Sequence, residues 1–158
     1  MKTGTGNRAF FLTKKGDFTM LSAFFKENAK AIENAKVVIS DRFVDENGEP
    51  EKWEIRAIDA KTNEILRDQY QPKMELRGRK VSNVSFNQNG YARDLLVHCV
   101  VYPDLYNKDL QDAYGVKDPV DLILAMLTPG EYTTLMEAVN SINGFDVTFE
   151  DKVDAAKN

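Results

Sequence analysis

A chain of 158 residues with 42% apolar and 29% charged side chains has the composition of an ordinary globular domain, and its length suffices to hide roughly 70% of the unfolded surface without a covalent staple. The net charge of -4 gives no electrostatic pull toward nucleic acid or anionic lipid, which clustered excess lysine and arginine would supply. One cysteine, Cys99, leaves no internal disulfide and no cysteine-based zinc site; no apolar run reaches the about 20 residues of a membrane-spanning helix, and the expected location is the cytosol.

Residues 1–19 carry two glycines and few periodic apolar positions, and read as a loose leader. Three readings stay open for it: Met20 as the biological start, a leader foreign to the native protein, or an extension in which Phe10, Phe11 and Leu12 pack as an edge strand. Beyond it, Leu21, Phe24, Phe25, Ala29 and Ile32 fall at the spacing of an amphipathic helix that ends near Asn34. Lys36 to Ile58 reads as a β-hairpin. Val37 to Phe43 leads into Asp45-Glu46-Asn47-Gly48, where both Asn47 and Gly48 tolerate positive φ, and Trp53, Ile55 and Ala57 alternate after the turn. A short helix with Ile65 and Leu66 inward is expected from Thr62 to Tyr70, before Pro72. Met74 and Leu76, then Val84 and Phe86, alternate around Arg77-Gly78-Arg79-Lys80 and predict a second hairpin.

Tyr91 to Tyr102 is the most apolar stretch and predicts a central buried helix. Asp118-Pro119 places a cap before a proline at the first helical position, and Thr128-Pro129-Gly130-Glu131 adds a capping-box glutamate. In the helix that follows the second signal, Tyr132, Leu135, Met136, Val139 and Ile142 form one stripe, and Gly144 supplies the left-handed stop. Phe145, Val147 and Phe149 alternate beyond it, and residues 150–158 form a polar end expected to be disordered. The expected fold is α+β: a mainly helical single domain over 20–149 with one β-hairpin and a second, weaker one.

Catalytic constellations are hard to build from these residues. His98 is the only histidine and lies in the most hydrophobic helix, where a satisfied core or interface histidine is the plainer reading than a base. Cys99 beside it points about 100° away on a helix, so the two make no thiolate pair. Neither a Walker pattern nor G-x-G-x-x-G after a strand occurs. Asp45, Asn47 and Glu49 begin like a calcium loop, but Pro50 and Trp53 stand where later ligands would be needed, which favours a solvated turn. Lys73, Arg77, Arg79 and Lys80 form a small basic patch of the kind that usually faces water. Trp53, the sole tryptophan, reads as an anchor of the hairpin on the helices. No catalytic residue, cofactor site or metal site is expected.

Several strings together resemble the XkdN-like tail assembly chaperones of phages and prophages of Gram-positive bacteria. They are Leu21-Ser22-Ala23-Phe24-Phe25, SDRFVDENGEPEKWEIRAI from Ser40 to Ile58, VYPDLYNKDLQDAYGV from Val101 to Val116, MLTPGEY from Met126 to Tyr132 and INGFD from Ile142 to Asp146. The resemblance implies a non-enzymatic chaperone in the host cytoplasm. It would bind the tape measure protein, the tail tube subunit or both during tail morphogenesis, and be absent from the finished virion. Apolar segments of a long helical partner aggregate unless masked, and helix-in-groove contact suits that task. The resemblance carries no catalytic residues. Expected partner-binding residues are Phe24, Phe25, Tyr102, Leu105, Tyr114 and Tyr132, if helix packing leaves them partly exposed; core packing is the competing reading for each. The alternative function is a structural tail or neck component retained in the virion, and a small enzyme would need a polar cleft around His98.

Overall fold

The computed structural model describes residues 21–72, 85–147 and 149–157, which fall into two compact units divided between Ile32 and Glu33. In the first, the expected helix to Asn34 is replaced by a single 3-10 turn, Ser22–Phe24. Phe25 is extended (ψ 142°), the Asn28 side-chain amide donates to the Ser22 carbonyl at 2.7 Å, and Leu21, Phe24, Phe25 and Ile32 are exposed. The apolar spacing is helical, but a helix this short is marginal in water without a packed stripe, and this stripe lies in solvent.

The second unit is α+β and mainly helical. Strands β1 (Ala35–Val38) and β2 (Lys52–Ile55) form the predicted antiparallel hairpin, with Ala35 opposite Ile55 and Val37 opposite Trp53. A further bridge, Val44 to Pro50, narrows its end. In the turn the Gly48 N–H donates to the Asp45 carbonyl at 3.0 Å, while Asp45 Oδ1 accepts from the N–H groups of Asn47 at 2.8 Å and Glu49 at 3.0 Å. Only Gly48 takes positive φ (79°), so the Asn-Gly signal is realised as an ordinary turn closed by a left-handed glycine, and not as two residues with positive φ. Trp53 and Ile55 are buried, and Lys52 and Glu54 alternate outward.

Helix α1 (Ala60–Gln69) starts at Asp59, whose carboxylate accepts from the Thr62 N–H at 2.7 Å. Leu66 is buried but Ile65 is 53% exposed, contrary to the expectation that both face inward; adjacent helical residues point about 100° apart, so one stripe cannot hold both. Helix α2 (Gln88–Cys99) begins three residues earlier than expected, because the Asn87 side chain caps it through the Gly90 N–H at 3.0 Å. A Cβ on Gly90 would stand 2.5 Å from the Tyr70 ring, so glycine is what lets that ring lie against α2, where the Tyr70 hydroxyl donates to Asp94 at 2.5 Å.

The predicted long helix to Tyr102 stops at Cys99. Val100–Tyr102 forms β3, which pairs antiparallel with β2 across a bulge at Glu54/Ile55 and completes a sheet of order β1-β2-β3. A continuous apolar run does not distinguish helix from strand, and the β-branched pair Val100-Val101 favours the latter once β2 offers an edge. A short helix with no counterpart in the sequence reading, α3 (Lys108–Ala113), follows under an Asn107 cap. Helices α4 (Pro119–Met126) and α5 (Pro129–Ile142) start at the predicted caps Asp118 and Thr128, each with proline at the first position. Gly144 (φ 72°) ends α5 as predicted: its N–H donates to Ser141, and the Phe145 N–H to Asn140, the paired bonds of a Schellman stop.

Packing converges on α2, which contacts α1, α4 and α5. Leu95, Leu96, Val97 and Cys99 from α2 join Trp53 and Ile55 from β2, Leu122 and Ile123 from α4, and Leu135 and Val139 from α5 in one core. Beyond the Schellman stop, the described residues of the Phe145, Val147 and Phe149 alternation form no strand, and α6 (Phe149–Lys157) occupies the polar end expected to be disordered. Glu150, Lys152, Ala155, Ala156 and Lys157 are good helix formers. The basic patch and all of the second predicted hairpin but its end at Phe86 fall on 73–84, outside the described residues.

The loop after β1 is clasped to the helices by Glu131. Its carboxylate completes the predicted capping box by accepting from the Thr128 N–H at 2.8 Å. The same group accepts from Ser40 Oγ at 2.5 Å and from Arg42 Nε at 2.9 Å and Nη2 at 2.6 Å. Arg42 Nη2 also donates to the Met126 carbonyl at the end of α4 at 2.7 Å. The Arg42 guanidinium and the Ser40 hydroxyl hold the Glu131 carboxyl well below the usual carboxylate range.

Candidate functional site

The residues nearest to nucleophilic chemistry are packed away. Cys99 is fully buried, burial pushes its thiol pKa up, and the Asn143 amide donates to its Sγ at 3.4 Å. His98 is half-buried, with Nδ1 2.9 Å from the Asp94 carbonyl one turn back. Among the described residues, no cluster of three or more His, Cys, Asp or Glu could hold a metal ion, and no helix is long and apolar enough to cross a membrane.

A broad recess lies on the sheet. The pairing register places Lys36 opposite Glu54, Val38 opposite Lys52, and Glu54 opposite Tyr102. These five residues alternate with the inward-facing Val37, Trp53 and Ile55, and so share the outer face. With Asp45, Glu49, Pro50 and Glu51 from the hairpin end they line a depression of about 700 Å³. Val38 is 43% and Tyr102 47% exposed. Four carboxylates and two ammonium groups give this face a net charge of -2. The Glu51 carboxylate beside Tyr102 pushes the pKa of its hydroxyl up. A second recess, about 480 Å³, lies among α1, α2 and α5, where Tyr91, Leu95, Met136 and the exposed Phe145 form its apolar part. Arg67 stacks at its rim over the Tyr91 ring, 5.9 Å from the centroid.

Of the six residues singled out from sequence, the four in the second unit, Tyr102, Leu105, Tyr114 and Tyr132, stand in different places. Phe24 and Phe25 are exposed in the first unit. Tyr102 stands in the sheet depression. Leu105 is buried, with its carbonyl accepting from Gln111 Nε2 at 2.8 Å; it is a core residue, because the turn after β3 folds it under α3. Tyr114 caps α3 and is partly exposed. Tyr132 is half-buried on the first turn of α5, against Leu96, Val120 and Ile123. Sequence reasoning missed Val38 and the charged rim of the depression. The signal was present, since Lys36 and Val38, and Lys52 and Glu54, alternate out of phase with Val37, Trp53 and Ile55.

The profile described as "Phage XkdN-like tail assembly chaperone protein, TAC" matches residues 21–157. The chain belongs to the XkdN-like phage tail assembly chaperone family. It is 34% identical over 139 residues to "Uncharacterized protein YqbN" of Bacillus subtilis (strain 168), covering 87% of this chain and 93% of that one. It is 32% identical, with the same coverage, to "Phage-like element PBSX protein XkdN" of that organism. The crystal structure of YqbN superposes with a TM-score of 0.65 at 27% identity, covering 80% of this chain and 97% of that one. The XkdN-like match therefore takes in the hairpin, all of the central helices and the segment beyond Gly144.

Proposed function

We propose that this chain binds the tape measure protein, the tail tube subunit or both in the host cytoplasm while the tail is being built, keeps the bound partner from aggregating, catalyses no reaction, and stays out of the finished virion. The observation that carries this reading is the family match over residues 21–157. The exposed surface supports it: Tyr102 and Val38 on the outer sheet face, Phe145 at the second recess, and Phe24 and Phe25 in the first unit present apolar area to solvent. Such area on a small acidic domain suits reversible masking of an apolar partner. Release would need no nucleotide, because polymerising tube subunits can compete for the same partner surface.

Size-exclusion chromatography of this chain mixed with each tail protein of its own phage tests the reading. A co-eluting complex is expected with at least one of them, unchanged by ATP or chelators and resistant to moderate salt, because apolar contacts are not screened as phosphate contacts are. Separate elution from both, together with recovery of the chain from purified particles, would overturn it in favour of a structural tail component.

A further inference from the structure

We infer that the outer face of the sheet is a docking site for a cationic amphipathic segment of the tail protein this chain binds, an inference that rests on the binding reading above. The sheet packs Trp53 and Ile55 inward onto the helices and leaves the opposite face as an open depression. A solvated antiparallel face is ordinarily polar throughout. This one places Val38 and Tyr102, both more than 40% exposed, among carboxylates.

Charge decides which occupant fits. A second copy would set two faces of net charge -2 against each other, and like charges across an interface oppose docking. Anionic polymers and anionic lipid are disfavoured on the same ground. A segment with apolar side chains on one stripe and lysine or arginine flanking it would bury Val38 and Tyr102 while its cations meet Glu49, Glu51 and Glu54. Lys36 and Lys52 are the two groups on the face that oppose such a partner, so they should limit its affinity.

The test uses the full chain, labelled for NMR, and two synthetic amphipathic helical peptides of about 18 residues, or five turns: one of leucine and lysine, the other of leucine and glutamate. The lysine peptide is expected to shift the amide resonances of Lys36, Val38, Lys52, Glu54 and Tyr102, and the glutamate peptide to leave them in place. Glu49→Lys with Glu51→Lys should weaken binding of the lysine peptide by roughly tenfold or more at low salt, and Lys36→Glu with Lys52→Glu should strengthen it by a similar factor. Both pairs change hairpin residues outside the core, and an unchanged melting temperature verifies that each variant is folded. Equal shifts with both peptides, shifts confined to another surface, or self-association of the free chain through this face would overturn the inference. The same variants separate it from the binding reading. If the wild-type chain and both variants bind the tail protein equally, the face is wrong and the binding reading stands; if even the wild type binds neither tail protein, that reading fails and the peptide shifts alone judge the face.

Discussion

Trp53→Ala should destabilise the protein by about 3–5 kcal/mol, the cost of removing a large aromatic side chain from a packed core and leaving a cavity. Trp53 is 2% exposed at the centre of β2, the middle strand of the sheet, and belongs to the core built around Leu96 and Leu135. Its loss removes the largest side chain joining the hairpin to the helices, and the strands on either side cannot collapse into the space without breaking the register of Val37 with Trp53. Chemical denaturation reports the change as a lower midpoint. A midpoint equal to that of the wild type would mean that the hairpin stands free of the helical core.

Glu131→Gln should lower the melting temperature by several degrees at neutral pH and flatten its fall in acid. The carboxylate serves the Thr128 N–H, the Ser40 hydroxyl and the Arg42 guanidinium at once. A neutral amide keeps one acceptor but loses the charge that holds Arg42 against the end of α4. The sign follows from the depressed pKa of Glu131 in the folded state. Its contribution is fully present above the ordinary glutamate pKa of about 4.3 and is lost as pH falls below that toward the depressed value. The gap in melting temperature between wild type and Glu131→Gln should therefore be widest near neutral pH and close on acidification. A gap that stays constant between pH 7 and pH 3 would show that the charge of Glu131 is not what clasps the loop.

The parts of the fold that were legible in sequence are those set by local chemistry. Asp118-Pro119, Thr128 with Glu131, and Gly144 each act through their own backbone and caps, and each appears where it was expected. The alternation around Trp53 was equally plain, because one side of a strand must meet the core. The failures have a common cause. Leu21 to Ile32 has helical spacing, but spacing shows only that a stripe exists, and here the stripe remains in solvent. Val100 to Tyr102 continues an apolar run begun in a helix, and only the free edge of β2, some 45 residues earlier in the chain, makes it a strand. Of the candidate binding residues, Tyr102 stands half-exposed on the outer sheet face while Leu105 takes the competing core reading, because exposure depends on how the turn after β3 folds. Val38 and its acidic neighbours follow from the register that sets Val37 opposite Trp53, which the alternation of single residues does not fix.

The central claim, that this chain protects a tail protein during assembly, is tested most directly by the solubility of the tape measure protein from the same phage, expressed alone and together with this chain. A long helical partner with unmasked apolar surface should partition into the pellet when made alone. Co-expression should move most of it to the supernatant, and Tyr102→Lys should reduce that rescue while leaving the melting temperature of the chain unchanged, because Tyr102 lies half-exposed on the outer sheet face opposite Glu54. A tape measure protein that stays equally insoluble with and without the chain would contradict the account.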